Sequence, residues 1–200
     1  SLAVDKEKAY KFLKLSLEIK CIAWIGSFLI IFFLSPFLAT QVFYKSELII
    51  PLRLVSFGIG GALLFSFATS ILQAYQKYFL WGAVNIITNF LRVVLILFLS
   101  FFLILNVESS LLVYIILPIF GFFITLLLIP ARKIFQSRNE FSLSKELFKY
   151  NLPVAIFTLI SAFSARLDTF LNARLLSSSE VGIYGAGNQL VQIIPQIIGA

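Results

Sequence analysis

The sequence is 200 residues long, 60% hydrophobic and 12% charged, with a mean hydropathy of +1.00 and a formal net charge of +7. No water-soluble domain of this size has a core large enough to hide so much apolar surface, so the composition predicts lipid as the solvent. Zero His and one Cys exclude histidine-based catalysis and an intrachain disulfide within this stretch.

Residues 1–20 are basic and amphipathic, with Lys6, Lys8, Lys11, Lys14 and Lys20, and predict a cytoplasmic segment. The apolar run that follows is of full spanning length, so this is not the start of a cleaved signal peptide. The chain opens on Ser1, contains no Met and stops inside an apolar run at Ala200, and we expect an internal piece of a longer protein.

About 20 apolar residues cross the roughly 30 Å of bilayer hydrocarbon as a helix. The first candidate covers 21–44, uncharged from Cys21 to Tyr44, and the second 52–76, uncharged from Leu54 to Gln76. Gly58, Gly60 and Gly61 would let that second helix approach a neighbour closely or bend. The third, 79–107, is interrupted only by Arg92, and the fourth, 109–131, is uncharged from Ser109 to Ala131. A polar connection, 132–149, then predicts a cytoplasmic linker, with Ser144 as an N-cap ahead of Glu146 and Leu147. The fifth span, 150–175, carries Arg166 and Asp168, and the sixth, 181–200, is uncharged but holds Asn188, Gln189, Gln192 and Gln196. The fold class is therefore all-α, a polytopic transmembrane bundle of about six spans. The short alternating strands of a membrane β-barrel are absent from the pattern.

Orientation follows from where the cations fall, because Lys and Arg in short loops are retained in the cytoplasm. Placing residues 1–20 inside gathers the five N-terminal lysines, Lys77, Arg132, Lys133, Arg138, Lys145 and Lys149 on one side. The opposite side receives only Lys45, Arg53 and Arg174. The positive charge is thus a topology signal, and no nucleic-acid partner is expected.

Ionisable groups at membrane depth are costly unless they pair, snorkel or line water. Counted along 80–105, Arg92 lies about 18 Å from one end of its span and about 20 Å from the other. Asn85, Asn89 and Arg92 are spaced by four and three and share one helical face, a polar stripe from the cytoplasmic end to mid-membrane. In the fifth span Arg166 and Asp168 lie about 21 and 24 Å from the cytoplasmic end, in the outer half. Two residues apart, they do not face each other. Asp168 is expected to share a face with Ser161, Ser164 and Asn172, a second stripe running outward. Hydrogen-bonded helix packing is the simpler use of such residues. The depth of Arg92 favours a water-filled route instead.

Leu152-Pro153, then Ala165-Arg166-Leu167-Asp168, then Ser178-Ser179-Glu180-Val181-Gly182-Ile183-Tyr184 resemble the start of the second half of a bacterial polysaccharide (O-antigen type) flippase. That family belongs to the multidrug/oligosaccharidyl-lipid/polysaccharide exporter (MATE-like) superfamily. The sequence departs from it after the outer turn, where Gly187-Asn188-Gln189 stands in place of a basic residue. The resemblance implies two helical lobes around a cavity that opens alternately to either side and turns over a lipid-linked oligosaccharide in the bacterial inner membrane. It makes 21–131 four helices of the first lobe, 132–149 the inter-lobe linker and 150–200 the start of the second lobe.

On this reading Arg92 meets the anionic phosphate region or the saccharide from the cytoplasm, with Asn85 and Asn89 beside it in the cavity, and Arg166, Asp168 and Asn172 line the outward route; sugar hydroxyls are of the kind that Asn, Gln and Ser serve. A coupling ion, proton or sodium, belongs to the same expectation; no cofactor, metal or catalytic residue does. A drug/cation antiporter using Asp168 as its coupled carboxylate is the nearest alternative. A membrane enzyme of saccharide assembly is the more distant one.

Overall fold

The computed structural model describes residues 6–137 and 143–198. Among them the chain forms eight α-helices and no strand: α1 (Lys6–Phe37), α2 (Ile49–Ala74), α3 (Tyr78–Phe101), α4 (Val107–Leu128), α5 (Ala131–Gln136), α6 (Leu143–Ser164), α7 (Leu167–Leu175) and α8 (Ser178–Ile198). Four stretches are long and apolar enough to cross a membrane, Glu7–Val42, Ser46–Ala74, Tyr78–Phe101 and Val107–Leu128. The bent pair α6/α7 makes a fifth if taken as one span. The expected sixth falls on α8, whose residues Asn188, Gln189 and Gln192 dilute its hydropathy, and α8 is not among the spans found in the described residues.

Several boundaries differ from the sequence expectation. The basic segment 1–20 is not separate from the first span, because no residue between Lys6 and Phe37 interrupts the helix and Lys11 pairs with Glu7 one turn back. α1 gives way after Pro36 to a π-turn, Leu38–Val42, in which the Phe43 N–H reaches Leu38 O at 3.0 Å. The third helix stops at Phe101, not at 107. Leu103 takes a left-handed conformation (φ 56°), and Ile104 N–H closes on Leu99 O at 3.0 Å, while Leu103 N–H reaches Ser100 O at 3.1 Å. This is a Schellman stop made without glycine. Gln76 (φ 58°) ends α2 in the same way, through Lys77 N–H to Leu72 O and its own N–H to Gln73 O. α4 starts at Val107 because Asn106 caps it: Asn106 Oδ1 accepts from Ser109 N–H (2.7 Å), and Ser109 Oγ accepts from Asn106 N–H (2.9 Å).

The linker 132–149 contains α5 and the first turns of α6; residues 138–142, Arg138 included, lie outside the described residues. Ser144 is therefore inside α6 and not its cap. The fifth expected span, 150–175, is two helices bent by 40° at Ala165–Arg166.

α2 is the centre of the first group, packed on α1 and α4, with α3 leaning on α4 and α5 on α1. In lipid the drive for such contacts is close packing of small residues. A Cβ on Gly60 would sit 2.2 Å from the Trp24 ring of α1, and one on Gly61 would sit 2.8 Å from Ile119 of α4. Buried Ser56, Thr69, Thr88 and Thr125 turn their hydroxyls onto carbonyls of their own helices, so none of these four hydroxyls is stranded. The core of Leu17, Phe67, Ile71, Leu72, Val84, Phe122, Ile129 and Ile134 lies where α1, α2, α3, α4 and α5 meet. At its edge burial and the Tyr10 hydroxyl push Tyr75 up to about 12, so Tyr75 stays protonated at neutral pH.

Long-range hydrogen bonds sort the connections into two ends. At one, Lys14 Nζ donates to Ser137 O (2.8 Å), Ser137 Oγ to Tyr10 O (3.3 Å) and Lys77 Nζ to Leu128 O (3.2 Å). At the other, Lys45 Nζ donates to Leu176 O (2.7 Å). These are the groupings that the charge asymmetry requires.

Candidate functional site

Asn85, Asn89 and Arg92 occupy one face of α3, as their spacing predicts. Asn85 Nδ2 donates to Trp81 O (2.8 Å) and Asn89 Nδ2 to Asn85 O (3.0 Å), each satisfied on its own helix. Asn89 Oδ1 then accepts from Arg92 Nη1 at 2.9 Å. The guanidinium lies 4.6 Å from the centroid of the Tyr114 ring on α4, a cation–π contact. Arg92 Nε is buried with no hydrogen-bond partner.

The antiparallel packing of α3 and α4 sets this meeting. A Cβ on Gly121 would come within 3.1 Å of Thr88 Oγ1, which brings Arg92, one turn after Thr88, towards the turn of α4 that carries Tyr114. Because α3 ends at Phe101, Arg92 is about 21 Å from its first residue and about 14 Å from its last. The cation is thus about 4 Å from the helix centre towards its C-terminal end, not at the midpoint. A half-buried cation with one hydrogen bond and a ring face has donors left for an anion.

Arg166 stands at the bend as the residue before α7 (φ −120°, ψ 1°). Its N–H reaches Phe163 O at 3.1 Å, and its carbonyl accepts from Phe170 N–H at 2.9 Å. Asp168 and Asn172 are one turn apart on α7. The bend cuts the expected continuous face, so Ser161 and Ser164, on α6, are not in helical register with Asp168. Asp168 accepts instead from the Tyr184 hydroxyl of α8 and, at 3.5 Å, from Thr169 Oγ1. No hydrogen bond or ring contact joins the α3 group to the α7 group among the described residues.

Two tyrosines complete what the sequence reading had left incomplete. Tyr114 is a lone polar aromatic inside an otherwise apolar span, and Tyr184 closes the outer-turn motif; both were visible as residue types, neither as partners. Gln192 and Gln196 lie where side chains are not described.

Between α1 and α6, at the lysine-rich end, is an apolar cavity of about 660 Å³ lined by Leu15, Glu18, Ile19, Cys21, Ile22, Ser144 and Phe148. Beside it a smaller one of about 250 Å³ brings in Lys20 and Asn151.

The sequence model of a family described as "polysaccharide biosynthesis protein" matches residues 4–200. No curated protein and no solved structure matches the chain.

Proposed function

The chain belongs to the polysaccharide biosynthesis protein family, and from that premise we propose that it carries a lipid-linked oligosaccharide across the bacterial cytoplasmic membrane by alternating access. Its apolar helices make it a multi-pass membrane protein of polysaccharide biosynthesis. The observation that carries the finer reading is Arg92, a cation inside an apolar span with unused donors. Desolvating an unpaired phosphate is prohibitive, whereas a guanidinium held by Asn89 and Tyr114 offers it charge-assisted hydrogen bonds. Asn85 and Asn89 present the amide chemistry that suits sugar hydroxyls.

In this proposal α1–α5 belong to one lobe of a MATE-like architecture and α6–α8 begin the other. Arg166, Asp168 and Asn172 line the outward part of the route, and Asp168, with Tyr184 as its hydrogen-bond donor, is the carboxylate offered to a coupling proton or sodium ion. The reading is of a transporter and not of an enzyme.

The test is genetic. In cells whose own copy is deleted, Arg92→Ala is expected to abolish surface polysaccharide while reaching the membrane at normal level, and Arg92→Lys to restore part of it. Full surface polysaccharide with Arg92→Ala contradicts the proposal.

A further inference from the structure

The segment between α1 and α2 is far in the chain from α7 and the turn that follows it, yet four contacts join them, two to the turn and two to α7 itself. Lys45 Nζ donates to Leu176 O at 2.7 Å, and Ser178 Oγ donates to Glu47 Oε1 at 2.7 Å. The rings of Phe43 and Phe170 meet edge-on at 5.4 Å, and the Arg174 guanidinium lies 5.6 Å from the Tyr44 ring.

Each half holds its own shape. On the first, the Lys45 N–H is fixed to Ala39 O at 2.8 Å and Tyr44 turns the chain with φ 57°. On the second, Leu176 N–H bonds Asn172 O at 2.9 Å, and Ser177 and Glu180 cap α8 reciprocally, with both Ser177 donors on Glu180 Oε2 and the Glu180 N–H on Ser177 Oγ. The Leu176 carbonyl ends α7, where the helix dipole favours a cation, and Lys45 supplies it. Two preformed surfaces joined by a few polar and ring contacts can part without unfolding either one.

At the opposite end a cavity of about 660 Å³ is lined by residues of α1 and α6 from the same two helical groups. We propose that the Phe43–Glu47 segment and the Leu176–Glu180 turn form a clasp that shuts the outer end of the route, and that it opens once in every transport cycle. This rests on the transport reading given above.

In the full-length protein carrying Cys21→Ser, the pair Glu47→Cys and Ser178→Cys is joined from outside the cell with a short bis-methanethiosulfonate, each thiolate displacing methanesulfinate to form a reducible disulfide. Newly surfaced polysaccharide is expected to fall at least tenfold on crosslinking and to return on reduction, with either single-cysteine variant unaffected by the reagent. Undiminished export by the crosslinked protein, or failure of the pair to crosslink, overturns the clasp. Spin labels at positions 46 and 175, which carry none of these contacts, judge it without reference to transport: a short and a long distance population are expected, and a single population overturns it. Surface polysaccharide unchanged by deleting the protein overturns the transport reading alone.

Discussion

At the scale of single residues, the question is how a guanidinium is tolerated within an apolar span. Asn89 takes one of its donors and Tyr114 takes its face, and together they hold the remaining donors in one direction. The ring supplies this, not the hydroxyl, so Tyr114→Phe should export polysaccharide at close to the wild-type rate. Tyr114→Ala should lower it about tenfold, the equivalent of about 1.4 kcal/mol of lost cation–π attraction. Surface polysaccharide at matched membrane levels measures both; equal rates would remove Tyr114 from the site. Arg92 was legible in the sequence because a lone charge in a spanning helix has few neutral uses. Tyr114 was not, since its partnership depends on the packing of α3 against α4, which no local pattern encodes. Glu180 offers a pH test at the same scale. Hydrogen bonds from Ser177, with help from the Lys45 charge, hold its carboxyl below the usual carboxylate range. A depressed carboxylate stabilises the fold above its unfolded value and loses that contribution as pH falls through its folded value. The thermal midpoint in detergent should therefore fall on acidification below the normal glutamate range, and Glu180→Gln should weaken that dependence.

At the scale of elements, α2 is built to be approached from two sides. Gly60 gives way to Trp24 while Gly58 and Gly61 give way to Ile115 and Ile119. Gly60→Ala places a methyl 2.2 Å from the Trp24 indole, which must shift to admit it, and should cost about 1–3 kcal/mol. A thermal-unfolding shift in detergent reads this; an unchanged midpoint would mean α1 and α2 do not pack as described. The helix ends give the opposite prediction. Gln76 stands in left-handed backbone where a residue with a Cβ pays about 1 kcal/mol or more. Gln76→Gly should raise stability by about that much in the same assay, and a lowered midpoint would contradict the Schellman stop. The sequence carried the first four spans well, because hydropathy over about 20 residues is a strong signal. It carried their ends poorly. The stops at Gln76 and Leu103 lack the glycine that usually announces them, and the apolar stretch 102–105 hid the end of α3. The bend at Arg166 was equally hidden, since neither Pro nor Gly marks it.

At the scale of the whole molecule, two helical groups meet in a contact at one end and a cavity at the other, and the lysine-rich connections gather at the end with the cavity. The inward and outward polar stripes expected from the sequence fall on different groups, Asn85, Asn89 and Arg92 on α3, Asp168 and Asn172 on α7. The outer clasp had no signature beyond its residues, because Lys45 and Glu47 read as ordinary loop charges until Leu176 and Ser178 are brought against them. The most direct test of this account reconstitutes the full-length protein in vesicles that hold a lipid-linked oligosaccharide in one leaflet, and follows its appearance in the other. The account predicts transfer well above that of protein-free vesicles and loss of that transfer with Arg92→Ala. Transfer no faster than in protein-free vesicles, or equal transfer by the Arg92→Ala protein, would contradict it.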